Sequence, residues 1–202
     1  MATDGTLDVI LVDATNDSSI PRNGTEFRRF MNKRFNPNRS YELIDSIHCT
    51  SRHHWLICVI QDSCSMFGVT GLEFLYGIDK ERYRWHRKAD HAFWFRGILV
   101  SSPEMIVAVE AIDKLLAEFA NNINRIAKDL DLAYFANEED IKEALGNPVL
   151  TCSPSSWDAG VRYADDGDGP WCLFSFLVSL KRLIEIGLDN NKSLLYVEWA
   201  PC

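Results

Sequence analysis

The longest regular pattern in the sequence is a stripe of apolar residues at helical spacing. The stripe begins after Ser102-Pro103 and runs to about Leu130. Its members recur every three or four positions: Ile106, Val109, Ile112, Leu115, Leu116, Phe119, Ile123 and Ile126. A serine before a helix and a proline in its first turn are common start signals. The stripe therefore predicts a long helix with one buried face.

The first hundred residues favour strands. Apolar segments rich in β-branched and aromatic residues alternate there with turn residues. Five of them are predicted strands: Leu7–Ala14, Leu43–Ile47, His54–Gln61, Phe67–Tyr76 and Ala92–Val100. Asp62–Ser65 is predicted as the tight turn of a hairpin, and Glu26–Phe35 as a short helix among the strands.

The second half of the chain favours helices. Beyond the long helix, Glu138–Leu145 and Pro170–Gly187 are predicted helices, and Leu194–Trp199 is a predicted strand. A chain of 202 residues with 47% hydrophobic residues suits one globular domain. The predicted fold class is thus a single α+β domain over residues 1–202. Its strand-rich N-terminal half forms an antiparallel or mixed sheet, and its helical C-terminal half ends in a strand.

The charge of the chain is acidic and segregated. With 21 basic and 29 acidic residues, the net charge is −8, which repels nucleic acid at long range. Acidic residues gather at 138–143 and 165–168, and basic residues at 28–39 and 82–88. The second basic group is interleaved with aromatic residues, a combination that can hold phosphates and stack bases. A solvated face whose alternate residues point into the core explains the same pattern.

Complete catalytic and metal-binding motifs are absent from the sequence. Six cysteines include no C-x-x-C pair, and the histidines lack ligands at a recognisable spacing. There is no G-x-S-x-G, P-loop or G-x-G-x-x-G motif. We therefore predict neither a metal nor a cofactor. The polar N-terminus and the lack of an apolar run of about 20 residues predict a cytoplasmic protein without a membrane contact.

Three short segments carry a family resemblance. They are Phe27-Arg28-Arg29-Phe30-Met31, Leu75-Tyr76-Gly77 and Ser179-Leu180-Lys181-Arg182-Leu183. In their order along the chain they resemble the plant ribosome-inactivating proteins, which are rRNA N-glycosylases with an α+β fold. The resemblance implies that Tyr76 stacks on adenine and that Arg182 supports the departing base.

The same resemblance implies a hydrolase whose partner is the ribosome or rRNA. Ser179 stands where the family has its catalytic glutamate. Serine cannot supply the negative charge that stabilises an oxocarbenium ion, and such a loss costs about 10²–10³ in rate. The implied protein is a weak or inactive N-glycosylase, or a ribosome- or adenine-binding protein. Its substrate contacts would come from the basic and aromatic run: Tyr83, Arg84, Trp85 and Arg87.

Two other hypotheses fit the sequence. One is an acidic, cytosolic protein-binding module without catalytic activity, of the inhibitor or immunity type, whose partner is a basic protein. Its contact face would be acidic: Glu138, Glu139, Asp140, Glu143, Asp165, Asp166 and Asp168. The other is a subunit of a larger assembly, in which Leu194–Trp199 pairs with the sheet edge of a partner.

Overall fold

The computed structural model describes residues 6–13, 20–21, 24–32, 46–49, 53–76, 87–89, 93–130, 138–148 and 170–201. The strands of this part are β1 (Thr6–Val12), β2 (Ser46–Cys49), β3 (Arg87–Ala89), β4 (Phe93–Val100) and β5 (Ser193–Pro201). Its helices are α1 (Gly24–Asn32), α2 (His53–Phe67), α3 (Glu73–Tyr76), α4 (Ser102–Asn121), α5 (Ile123–Asp129), α6 (Glu138–Gly146) and α7 (Pro170–Asp189).

The five strands form one antiparallel sheet in the order β2-β1-β5-β4-β3. The predicted terminal strand is confirmed as β5, and it lies at the centre of the sheet. Tyr196 in β5 is opposite Val9 in β1 and Ile98 in β4. Both edges of β5 are therefore hydrogen-bonded, so this strand is not available to pair with the sheet of a partner protein.

Both faces of the sheet are covered. Leu7, Val9 and Leu11 of β1 belong to the large core, which also holds buried residues of α2, α4, α6 and α7. The alternate residues Ile10 and Val12 pack on the other face in a smaller core that includes α1. Successive side chains of a strand point to opposite faces, so a strand covered on both sides is mostly apolar. This explains the hydrophobic run from Val9 to Val12, although β1 also contains the completely buried Asp8.

The predicted strand-rich N-terminal half is wrong, because helices account for most of the described residues. α2 spans the segment predicted as the strand His54–Gln61 and the turn Asp62–Ser65. The second strand of the predicted hairpin, Phe67–Tyr76, is replaced by the end of α2, a turn and the short helix α3. β-Branched residues suggested strands here, but the buried positions recur at helical spacing: Leu56, Val59, Ile60, Ser63 and Cys64.

Two glycines direct the chain from α2 to α3. Gly68 has a φ of 60°, and the next amide, of Val69, donates to the Cys64 carbonyl oxygen at 2.9 Å. A glycine in the left-handed conformation, followed by a backbone hydrogen bond of this kind, is a common way for a helix to end. Gly71 has a φ of 115°, and a Cβ there would lie 2.8 Å from Val107 Cγ1. The missing side chain thus lets the turn pack directly on α4.

The long helix predicted from Ser102 is confirmed, with one break. Its start is fixed by Glu104, whose Oε2 accepts hydrogen bonds from the Ser101 amide at 2.8 Å and the Ser101 hydroxyl at 2.7 Å. The helix breaks at Asn122, and α5 continues the apolar stripe with the buried Ile126. In the described part of the chain, no helix is long and apolar enough to span a bilayer.

Candidate functional site

Tyr76 lies at the end of α3, not at the end of a strand as predicted. Its ring is partly buried against the large core, and its hydroxyl is hydrogen-bonded to Cys64 of α2. Burial raises the pKa of the Tyr76 phenol, and the hydrogen bond to Cys64 and the charge of Glu73 raise it further. The hydroxyl therefore stays protonated at neutral pH and serves as a donor to sulfur.

Ser179 and Arg182 lie on α7 but in different environments. Ser179 is completely buried, while the Arg182 side chain is 52% exposed with Nη1 3.9 Å from Glu185 Oε2. Residues three apart on a helix are neighbours on its surface, so this pair lies at the boundary between the core and the exposed face of α7. Tyr83, Arg84 and Trp85 lie outside the described residues. Arg87 is the first residue of β3, and its side chain also lies outside the description.

The acidic residues at 138–143 lie on α6. Glu138, Glu139 and Asp140 occupy its first turn, where carboxylates stabilise the positive end of the helix dipole. Their concentration therefore has a local structural cause. The second acidic group, Asp165, Asp166 and Asp168, lies outside the described residues.

A pocket of about 360 Å³ lies between α3 and the start of α4. We call it the α3–α4 pocket. It is lined by Gly71, Glu73, Phe74, Pro103, Glu104 and Val107. Three of these residues provide apolar walls, and the two glutamates provide negative charge. The pocket thus has the composition of a binding site, namely an apolar surface with a few placed polar groups.

Exposed apolar residues flank this pocket. Ile106 is 50% exposed and Val107 is 46% exposed. Among the described residues, no other large hydrophobic side chain is exposed to this degree. Their neighbours Met105 and Ala108 are completely buried, so α4 is well packed at this point. The outer face of the helix is therefore apolar where an ordinary amphipathic helix has polar residues.

Hydrogen bonds hold the two carboxylates of the pocket. Glu73 Oε2 accepts a hydrogen bond from the Gly71 amide at 2.7 Å. Glu104 Oε2 is held by Ser101, as described above for the start of α4. Each carboxylate uses one oxygen in these bonds. Their negative charges therefore have defined positions before any ligand binds.

The central strand of the sheet, β5, contacts α3 through Tyr196. The completely buried Tyr196 has its hydroxyl 2.5 Å from Glu198 Oε1 and 3.2 Å from the Leu75 carbonyl oxygen. Its ring packs edge-on against Phe74, with ring centroids 6.2 Å apart. Because Phe74 lines the pocket, these contacts connect the pocket wall to the centre of the fold.

The residues of the pocket were not predicted from the sequence. One available signal was the Ser-x-x-Glu pattern of Ser101 and Glu104, which marks a capped helix start and a fixed carboxylate. No local sequence pattern indicates the contact between Gly71 and Val107, because that contact depends on how α3 packs against α4. Glu73 and Phe74 were assigned to a strand, which placed them on opposite faces of a sheet.

Within the ranges that the structure describes, no group of three or more His, Cys, Asp or Glu side chains is arranged to hold a metal ion. Comparisons with protein-family models, with curated proteins and with solved structures give no match to this chain.

Proposed function

We propose that this protein is an acidic protein-binding module and that the α3–α4 pocket is the centre of its contact with a basic partner protein. The observation that carries the proposal is the exposed apolar pair Ile106 and Val107 beside a preformed, negatively charged concavity. Binding energy in protein interfaces is concentrated in a few central residues that fill pockets. A pocket with fixed polar groups and exposed apolar rims suits that role.

Burial of the exposed pair would contribute measurably to binding. Complete burial of an exposed aliphatic side chain is worth about 1.5–3 kcal/mol. Ile106 and Val107 are each about half exposed, so covering them is worth about 1 kcal/mol apiece. This is enough for a hot spot but not for a whole interface, which buries about 800 Å² per partner. The surrounding surface of α4 must therefore contribute as well.

The sequence pattern suggested the acidic residues of α6 as part of the contact face for a basic partner, whereas we place that contact at the α3–α4 pocket. The residues that line the pocket include no pairing of a nucleophile with a base, which favours binding over covalent catalysis. The hypothesis of an rRNA N-glycosylase stays a prediction from the resemblance. We also infer that the protein is cytoplasmic, where Cys58 and Cys64, which form no disulfide in the structure, stay reduced.

Affinity capture with matched variants tests the proposal. Val107→Asp puts a charge into the exposed apolar pair, while Ala117→Asp puts the same charge at another exposed position of α4. We expect a basic protein that binds the purified wild type and Ala117→Asp alike and loses about tenfold or more in affinity with Val107→Asp. Partners that bind all three proteins equally, or capture of no basic protein, would contradict the proposal.

A further inference from the structure

We infer that the α3–α4 pocket receives the side chain of an arginine or lysine from the partner, with the methylene stem on its apolar walls and the cationic head between Glu73 and Glu104. This inference rests on the proposed function and specifies the chemistry of the same site. It follows from three features of the pocket, which are its size, its apolar walls and its charge.

The size of the pocket suits a single side chain. Sites for drug-sized ligands and cofactors range from about 300 to 1,000 Å³. The volume of about 360 Å³ is at the lower end of that range. A space of this size has room for one long side chain of a protein partner.

The walls of the pocket suit an aliphatic stem. Phe74, Pro103 and Val107 present carbon surface, and long basic side chains lay their methylene groups along such surface while the charged head stays near water. Phe74 is only 6% exposed, so most of this carbon surface comes from Pro103 and the half-exposed Val107.

The charges around the pocket favour a cation. Glu73 and Glu104 contribute two negative charges, whereas the N-terminus of α4 contributes the equivalent of about half a positive charge. Lys114 is a basic residue near this turn, and its ammonium donates to the Gly68 carbonyl oxygen at 3.2 Å. Among the residues that the structure describes around the pocket, two carboxylates against one lysine and a partial dipole give a net negative charge. The net charge of −8 extends that attraction beyond the pocket.

One oxygen of the Glu73 carboxylate accepts the hydrogen bond of the Gly71 amide, which orients this carboxylate without neutralising it. Among the described residues, Glu73 accepts no hydrogen bond on its other oxygen, so Oε1 is available to a donor from a partner. A charge-assisted hydrogen bond to a preoriented carboxylate loses less side-chain entropy than one to a mobile carboxylate.

The test uses small probes in place of the partner. n-Butylammonium carries the stem and the head of lysine, and N-butylguanidinium carries the head of arginine on a stem that is one carbon longer. N-butylurea is a neutral analogue of the guanidinium. Two-dimensional NMR of the ¹⁵N-labelled full chain reports binding at the amides of Gly71, Phe74 and Val107. We expect saturable shifts with the cations at a dissociation constant on the order of 1–10 mM. Binding should weaken as the salt concentration rises from about 50 to about 500 mM.

Glutamine variants identify the groups that bind the cation. Glu73→Gln and Glu104→Gln keep an acceptor oxygen for the Gly71 and Ser101 bonds, and glutamine is accepted in a capping box. Each should weaken cation binding about twofold to fivefold. Asp113→Asn is the matched control, because it removes a negative charge of α4 that pairs with Lys181 on α7. It should leave probe binding unchanged.

Three results would overturn the inference: equal binding of N-butylurea, unchanged binding in both glutamine variants, or shifts confined to residues outside the pocket. An absence of shifts up to about 50 mM probe would overturn it too. The proposed function fails separately. If a partner depends on Val107 but the cations do not bind, the protein-binding function stands and the cation site is contradicted. If the cations bind but no partner depends on Val107, the cation site stands and the protein-binding function is contradicted.

Discussion

The Tyr196 hydroxyl lies 3.2 Å from the Leu75 carbonyl oxygen, so the central strand of the sheet contacts the short helix that forms one wall of the α3–α4 pocket. A helix of one turn has little stability of its own, because nucleation is costly and few internal hydrogen bonds are gained. α3 therefore depends on tertiary contacts such as this one and the packing of Phe74 on Tyr196.

Removal of that hydroxyl should destabilise the fold. Tyr196→Phe leaves the buried Glu198 carboxylate without this donor, and we expect a loss of about 1–3 kcal/mol in the free energy of unfolding. Urea denaturation followed by circular dichroism measures it. Tyr76→Phe removes a hydroxyl from a less buried ring and should cost less. Equal losses in both variants would contradict a special role for Tyr196.

The turn that carries Glu73 should not tolerate a side chain at Gly71. A Cβ there would lie 2.8 Å from Val107 Cγ1 and 3.0 Å from the Val107 carbonyl oxygen, at a φ of 115°. Gly71→Ala should lower the free energy of unfolding by about 1–3 kcal/mol and weaken probe binding in the pocket.

Gly68→Ala is the matched control for the turn. Gly68 also has a positive φ, of 60°, but a Cβ there has nothing within 4 Å. It should cost about 1 kcal/mol, because only the left-handed conformation is disfavoured. Thermal unfolding of both variants separates backbone strain from the steric clash. A larger loss for Gly68→Ala than for Gly71→Ala would show that α3 does not pack on α4 as described.

Stability should fall in alkaline solution. Burial raises the pKa of the Cys64 thiol above its usual 9.0, and that of the Tyr76 phenol above its usual 10.0. Above those ordinary values the unfolded chain has released both protons while the folded chain retains them. The unfolded state then binds fewer protons, so stability decreases as pH rises. The contribution is complete below about pH 9 and is lost progressively above it.

Tyr76→Phe tests whether Tyr76 and Cys64 cause the alkaline loss of stability, because it removes one of the two ionisable groups. Urea unfolding at a series of pH values from about 8 to about 11 should show a shallower decline for the variant than for the wild type. Identical slopes would mean that neither Tyr76 nor its hydrogen bond to Cys64 contributes to the alkaline loss.

A glutamate at position 179, as in the ribosome-inactivating proteins that the sequence resembles, should destabilise this fold strongly and should not create N-glycosylase activity. Ser179 is completely buried, so Ser179→Glu places a carboxylate in the helical core at a cost of about 3–5 kcal/mol. Arg182→Gln changes an exposed side chain and should stay within about 0.5 kcal/mol of the wild type. Thermal unfolding measures both effects. Depurination of purified ribosomes, scored by aniline cleavage of the large rRNA, should be absent for the wild type and both variants.

A folded Ser179→Glu variant that depurinates ribosomes would contradict the binding-module proposal. It would also establish the resemblance to the ribosome-inactivating proteins, whose chemistry needs that carboxylate beside Arg182.

Regular elements were predictable where the pattern and the residue types agree. The stripe after Ser102-Pro103, the apolar run of α7 and the strand after Leu194 each have a period and a composition that indicate one structure, and all three are confirmed. α2 was mistaken because Ile57, Val59 and Ile60 are β-branched. Its helical spacing of buried residues was the more informative signal.

The candidate site was not predictable from the sequence, because it depends on tertiary contacts. Gly71 and Val107 are distant in the chain and meet only when α3 packs on α4. The exposure of Val107 is likewise a property of the packed helix, since its residue type alone indicates burial. The complete burial of Ser179 is also a property of the packed fold, which its match by sequence order did not indicate.

The most direct measurement is the hydrogen-exchange footprint of the basic partner on this protein. A contact at the α3–α4 pocket predicts slower amide exchange over residues 71–76 and 101–107 on binding, because a bound partner covers these segments and suppresses their local opening. Slower exchange confined to α6 or α7, with no change at Gly71 or Val107, would contradict the pocket as the binding surface.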